Sequence, residues 1–388
     1  MNTTTSKRLL SLLLALITAL SLCVPVFATD GTGNGGGTTG ETTTSVSTIV
    51  DATLSSTLAQ EKAALTSPDF GSEWVILGLA RSGYLEKGSK YFNDYYTRVA
   101  AYASKATKNA QELGAPAGAL HLVKCTENSR LIIALSALGR DARSVGECDL
   151  TAPYEKFSWI EGQGLNSVVF ALIALDTVGY ETKDTTIRQQ CISYILDRQL
   201  SDGGWNYQED AATSDPDMTA MSLQALANYQ EQEKVQAAVS AAVGRLSAMQ
   251  NSDGSYTSYE AVNSESISQV IVACAALGID PHTDSRFVKN GKSAVDALLT
   301  FYNTEKRAFH HTMKDKDGNS TDVDGMATEQ AAYAMTAYQR LMNRKTSLYD
   351  MSDVAKDCAA GEHTFGDWKE TVATCTEAGT KTHTCTKC

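Results

Sequence analysis

The chain has 388 residues, 43% of them hydrophobic and 20% charged, and a formal net charge of −12. This balance excludes wholesale disorder and collagen-like structure, and the scarcity of proline (6) suits a mostly helical chain. An acidic protein of this kind is a poor partner for nucleic acid or for an anionic membrane surface.

The first element is a leader. Lys7 and Arg8 precede an apolar run, Leu9 to Val26, and Val24-Pro25-Val26-Phe27-Ala28 puts small residues at −3 and −1 of a cut after Ala28. Residues 1–28 therefore read as a secretory signal peptide, so a secreted, extracellular or cell-surface protein is expected. Cleavage would remove two bases and no acid, leaving the mature chain still more acidic. No later segment is apolar enough to span a membrane, so no transmembrane segment is expected in the mature chain. Residues 29–47 are rich in Gly and Thr without apolar periodicity, which reads as a flexible linker or glycosylated stalk. Such a stalk suits a module held away from a cell wall or from other surface modules.

From residue 48 to residue 348 the text is helical and repetitive. Similar apolar segments recur about every 50 residues: Ser72–Tyr84, Asn128–Gly139, Leu165–Tyr180, Asp217–Tyr229, Ser264–Gly278 and Gly325–Tyr338. Most end at Gly or Asn, which tolerate the left-handed position after a helix. Their nearly continuous hydrophobicity predicts burial on all sides. Amphipathic helices are expected between them, at Tyr91–Leu113, Thr185–Gln199, Glu233–Gln250 and Ser293–Tyr302. Six buried and six amphipathic helices predict two shells and an all-α (α/α)6 toroid of helical hairpins.

A second signal lies in the turns. Gln199-Leu200-Ser201-Asp202-Gly203-Gly204-Trp205 and Gln250-Asn251-Ser252-Asp253-Gly254-Ser255-Tyr256 share the pattern Q-x-x-D-G-x-aromatic. Asn303 and Phe309 keep a degenerate copy. Asp-Gly makes a sharp turn, the aromatic plugs a gap between hairpins, and Gln ties the turn down. A structural staple is the expected role.

These turns resemble the QW repeat of squalene–hopene cyclases, and the chain resembles the terpenoid cyclase/prenyltransferase α/α-toroid superfamily. The likeness is sharpest over residues 192–256. Asp215-Pro216-Asp217-Met218-Thr219-Ala220 is similar to the D-x-D-D-T-A motif of class II cyclases, with Met218 where the motif ends in Asp. By that match Asp217 would be a general acid and Asp215 its neighbour; helix capping is the competing reading for both. Cation stabilisation in such an enzyme would call on aromatic faces, of which Trp74, Phe170 and Tyr333 lie on inner helices. Protein prenyltransferases of the same superfamily hold zinc with Asp, Cys and His; Asp217 with His310 or His311 is the nearest set here. The Cys-Gly-Glu-Gln of thioester toroids is absent. Secreted cobalamin-binding toroids, and bacterial exported toroids joined to surface modules, resemble the chain in compartment.

In an alternating toroid every loop entering an inner helix lies at one end. Those loops are long here, at residues 141–163, 206–214, 257–263 and 310–323, and rigid scaffolds carry sites on such loops. The expected walls of a pocket mouth are Trp159, Glu161, Gln163, Tyr207, Glu209, Tyr259, Glu265, His310, His311, Asp324 and Glu329, with Asp217 among them. The run from Asp315 to Asp324 lacks the EF-hand Gly and Glu and reads as a solvated acidic loop.

The tail, 349–388, changes character. Cys358, His363, Cys375, Cys385 and Cys388 have zinc-ribbon-like content, and disulfide pairing fits as well. Zinc is expected in the tail only, if at all. The segments His363–Trp368, Ala373–Gly379 and Cys385–Cys388 resemble an incomplete β repeat of Gram-positive surface proteins. Among the four body cysteines, Cys191 and Cys274 fall in apolar helical patterns and read as small buried hydrophobes. Three functions stay open: a small-molecule binding module in the ring mouth, a cyclase-like enzyme with Asp217 as acid, and a carbohydrate-active toroid with paired carboxylates such as Asp217 and Glu329.

Overall fold

The computed structural model describes residues 45–355, 366–371 and 379–382. The chain divides into Met1–Thr43, which lies outside the described residues, and Thr44–Cys388. The leader, most of the linker and the tail residues Cys358, His363, Cys375, Cys385 and Cys388 also fall outside the described residues. No described helix is long and apolar enough to cross a membrane.

Twelve α-helices are described. In chain order they are α1 Val46–Ala64, α2 Glu73–Arg81, α3 Lys90–Glu112, α4 Cys125–Ala137, α5 Phe157–Ile160, α6 Leu165–Asp176, α7 Ile187–Leu196, α8 Pro216–Leu226, α9 Glu233–Met249, α10 Ser264–Ala276, α11 Ala294–Leu299 and α12 Gly325–Met342. The even-numbered helices are the six apolar repeats. Each packs on the next, and α12 packs back on α2, so they close a ring. The odd-numbered helices form the outer shell. The expected outer helix at Ser293–Tyr302 shrinks to α11, because Tyr302–Asn303 pairs as a strand with Ala308–Phe309. The third outer element is the single turn α5, set between 3-10 turns at Ala152–Glu155 and Glu161–Gln163.

The Gln–turn–aromatic signature acts as a staple in both full copies. Gln199 Nε2 donates to Gly203 O at 2.7 Å and to Ala238 O, on α9, at 2.9 Å. Gln250 Nε2 does the same to Gly254 O (3.0 Å) and to Phe287 O (2.9 Å) of the following repeat. Trp205, Tyr256 and Phe309 are fully buried, and the Trp205 indole donates to Ile195 O at 2.7 Å. Gly254 (φ +85°) lies so near the next repeat that a Cβ would stand 2.4 Å from Ser293 O.

One end of the ring is sealed by the chain that follows α12. Buried Arg81 of α2 donates to Leu348 O, Ser347 O and Asp350 O and pairs with Asp353 at 2.7 Å. Arg340 of α12, also buried, reaches Arg81 O, Thr346 and Asp353. The two guanidinium groups hold the Asp353 carboxyl down at about 2. Leu348 and Tyr349 enter this end, where a void of about 20 Å³ is left, room for about one water.

The inner helices depart from the expectation of uniformly apolar surfaces. Thr219, Ser222 and Gln224 on α8, and Ser264, Ser266, Ser268 and Gln269 on α10, are buried polar residues. Cys125, Cys191 and Cys274 are buried thiols, and Cys148 is a half-buried one. In the tail, strands Lys369–Thr371 and Thr380–Thr382 pair antiparallel, with an ion pair between Lys381 and Glu370.

Candidate functional site

The other end of the ring is open. A cavity of about 610 Å³ lies there, lined by residues of α8, α10 and α12 and of the loops that enter them. Trp74 packs on both Phe170 and Tyr333 with ring centroids 5.7 Å apart, a span across three inner helices.

Two loops build the rim. The first is a two-stranded hairpin, Thr257–Ser258 with Ala261–Val262, whose tip is Tyr259-Glu260. Both tip residues have positive φ (47° and 66°), a conformation usually left to Gly or Asn. Tyr259 is 70% exposed and lines the cavity. The hairpin is pinned by Ser258 Oγ, which donates to Asp215 Oδ2 at 2.5 Å. The second loop follows His310, whose backbone pairs with Val323. Ser264 ties it to the start of α10, its N–H donating to His311 O (3.0 Å) and its hydroxyl to His310 O (2.8 Å).

The two carboxyls of the cyclase-like motif separate in role. Asp215 is the N-cap of α8: its Oδ1 accepts from Asp217 N (2.9 Å) and Met218 N (3.1 Å), with Pro216 at the first helical position. Asp217 caps nothing and faces the cavity. Its Oδ1 is buried without a hydrogen-bond partner. Burial, then the neighbouring Asp215 and Glu265, push its carboxyl up to about 7. The Ser266 and Ser258 hydroxyls stand near enough to oppose that rise, but Ser258 donates to Asp215 and Ser266 completes no bond in good geometry. Met218, where the motif would end in Asp, is buried.

Glu265 lines the same cavity and pairs with His311, whose Nδ1 lies 2.9 Å from both carboxylate oxygens. Asp324 caps α12 by accepting from Ala327 N at 2.9 Å, and also lines the mouth. Beneath them runs an amide relay. Gln224 Nε2 donates to Gln269 Oε1 (3.0 Å), and Gln269 Nε2 donates to Gln330 Oε1 (2.9 Å) and to Tyr333 OH (2.6 Å).

Of the expected wall residues, the structure gathers Asp217, Tyr259, Glu265, His311 and Asp324 around this cavity. Others go elsewhere. Trp159 is a buried packing residue whose indole donates to Leu122 O at 3.2 Å. Gln163 accepts from Thr126. Glu161 and Glu209 act on the Tyr194 phenol instead. Tyr207 does not line the cavity but stays near the mouth, exposed on its loop and close enough to act on the Tyr259 phenol. His310 turns to Asn303 and Thr321. Glu329 faces Glu73, Arg130 and Asp324, and burial with the nearby Glu73 charge pushes its carboxyl up to about 7. The acids that act on Asp217 are Asp215 and Glu265, so the pairing of Asp217 with Glu329 gives way to Asp217 with Glu265. No group of three His, Cys, Asp or Glu able to hold a metal occurs among the described residues. The lining residues Met221, Gln269 and Gln330, overlooked in the sequence, each stand four residues after another lining residue, Asp217, Glu265 and Met326, on the same helix face.

Ring and mouth together define the class: an α/α toroid with one sealed end and one open end where carboxyls line the mouth. Over residues 149–306 the chain matches the family model of the prenyltransferase alpha-alpha toroid domain. No curated protein matches the sequence. Among solved structures, the chain is similar in fold to an unsaturated glucuronyl hydrolase from Bacillus sp. GL1, described as responsible for the degradation of glycosaminoglycan. The TM-score is 0.51 at 10% identity, covering 78% of this chain and 98% of that one. A second structure, described as a substituted UGL with dGlcA-Glc-Rha-Glc, matches at a TM-score of 0.50, 10% identity and the same coverage.

Proposed function

We propose that the chain is a carbohydrate-active α/α toroid that binds a glycan in its open mouth and hydrolyses a glycosidic bond there. The observation that carries this is Asp217, a carboxyl raised to about 7 with an unpartnered oxygen at the wall of a wide open cavity that Glu265 also lines. A general acid works best when its pKa lies near the operating pH. In the proposed step Asp217 gives its proton to the glycosidic oxygen as the bond from that oxygen to the anomeric carbon breaks. Water then adds to that carbon and loses a proton to Glu265. Tyr259, exposed at the rim, is the stacking platform for a sugar ring. Similarity in fold to glycan-degrading toroids agrees with this reading.

The cyclase-like reading fits the geometry less well, because it asks for a closed, dry cavity, and this one is open and carries Asp217, Glu265, His311 and Asp324 on its wall. A binding module without turnover is the second reading, favoured by the His311 contact that already engages the Glu265 carboxylate. The leader at 1–28, the stalk at 29–47 and the Cys/His-rich tail support export and surface attachment, with zinc or disulfides in the tail. Incubating the purified chain and Asp217→Asn with an oligosaccharide panel, and reading new reducing ends by mass spectrometry, decides. Hydrolysis by the native chain alone supports the enzyme. Equal binding by both proteins with no product supports the binding module.

A further inference from the structure

Two exposed tyrosines stand at the mouth on different loops. Tyr259 is 70% exposed at the hairpin tip and lines the cavity, whereas Tyr207 is 60% exposed on residues 206–214, outside the lining. After partial burial, the groups that act on the Tyr259 phenol are Asp215, Asp217 and Tyr207, which puts both rings and the candidate acid in one neighbourhood. Among the described residues, neither ring stacks on another aromatic. Adjoining exposed rings of this kind mark a contact surface.

Both loops are fixed to one residue. Asp215, the cap of α8, accepts from Ser258 of the hairpin at 2.5 Å. Its N–H donates to Trp205 O at 2.8 Å, which closes the base of the loop that carries Tyr207. Within that loop Asn206 Nδ2 donates to Thr213 O, and Asn206 Oδ1 accepts from Gln208 N, both at 2.9 Å. The two rings are thus held in place relative to Asp217, two residues past their common anchor, and a ligand that uses them has little ordering to offset.

The cavity, about 610 Å³, has room for a short oligosaccharide. A ligand of that size, seated on Tyr259 beside Asp217, would end before Tyr207. A longer chain leaving the open mouth would cross it. Sugar rings present C–H faces that stack on a phenol ring while their hydroxyls, and the phenol's own, stay in water. Resting on the glycan reading above, we infer that the mouth takes a long glycan chain in preference to a mono- or disaccharide, with Tyr207 as an outer platform for a sugar unit beyond the one on Tyr259.

The test is a calorimetric titration of the full chain carrying Asp217→Asn, so that no glycan is cut, with the two-unit and six-unit members of the cellulose, chitin and hyaluronan series. In at least one series the six-unit glycan is expected to bind at least about tenfold tighter than the two-unit one. Adding Tyr207→Ala should remove most of that margin, leaving the few-fold gain that a longer chain has from offering more registers. Tyr207→Trp should keep the margin, which separates loss of the platform from loss of the fold. A margin undiminished in Tyr207→Ala overturns the role of Tyr207. Equal binding of the two lengths overturns the long-chain inference and leaves the glycan reading standing. Binding of none of the six overturns the inference and, with an empty oligosaccharide panel, the glycan reading too; self-association abolished by Tyr207→Ala would then give the rim to a second copy of the chain.

Discussion

At the scale of single residues, the mouth depends on two side chains held in conditions a surface would not impose. Asp217 keeps its proton to about pH 7 because burial and the charges of Asp215 and Glu265 disfavour its ionised form. An acid must be protonated to act, so kcat/KM should fall as pH rises through about 7. Asp217→Asn should lower kcat by about a hundredfold or more. A profile flat from pH 5 to 9 would remove Asp217 from that role. Tyr259 is the second case. Its φ of 47° and that of Glu260, 66°, cost about 1 kcal/mol or more each in a non-glycine residue. Strain of this kind at a rim implies that the side chain is worth presenting. Tyr259→Gly should therefore raise the unfolding midpoint slightly while weakening glycan binding about tenfold, as read by thermal melts and titration on the same preparation.

At the scale of elements, the staples show why two copies of one motif are not equivalent. Gly203 (φ +94°) has Ala241 O as its nearest outside atom, 3.1 Å from where a Cβ would sit, whereas at Gly254 that distance is 2.4 Å, to backbone. Gly203→Ala should cost about 1–2 kcal/mol, mostly backbone strain, and Gly254→Ala about 3 kcal/mol or more, because Ser293 starts α11 and cannot yield. Urea unfolding of the two variants checks the order. The same elements show what was legible beforehand. The amphipathic stretch at Tyr91–Leu113 became α3 within a residue at each end, and Glu233–Gln250 became α9, because long periodic helices announce themselves. The outer element before α6 was unreadable as a helix: Pro153, Gly162 and Gly164 break it into turns. The site was legible where it lies in loops that enter inner helices, as with Tyr259, His311 and Asp324. It was hidden where it lies inside helices. Gln269 and Gln330 sit in apolar-looking runs, and only the closing of the ring aims them at a common space. Trp159 failed as a wall residue for the opposite reason, since a large aromatic on a loop finds burial more favourable than exposure.

At the scale of the whole molecule, the ring has a seam where its first helices meet its last, and the seam is acidic. Glu61 of α1 is buried, and its Oε2 has no hydrogen-bond partner. Burial, then the charge of Glu329 on α12, push its carboxyl up to about 8. Glu329 itself is raised to about 7, and Glu73 of α2 is raised by burial although Arg130 stands 3.2 Å away. A carboxyl with a folded pKa above its unfolded value binds its proton more tightly when folded. Its stabilisation is whole below about pH 4 and is lost as pH rises through the folded value, here from about 4 to about 8. Asp353, held down at about 2 by Arg81 and Arg340, works the other way. Its part is whole above about pH 4 and lost as pH falls toward 2. The two ends of the closure thus bracket the molecule, with greatest stability in mildly acid solution and a decline toward alkaline pH that the seam governs. Glu61→Gln removes the charge that must otherwise be buried and keeps the shape of the side chain. Thermal melts of the native chain should drop by several degrees between pH 5 and pH 9, and Glu61→Gln should recover about 2 kcal/mol at pH 9 while changing little at pH 5. If the variant melts below the native chain at both pH values, the Glu61 carboxyl has a structural role its protonated form alone does not supply, and the seam is not what limits the ring in alkali.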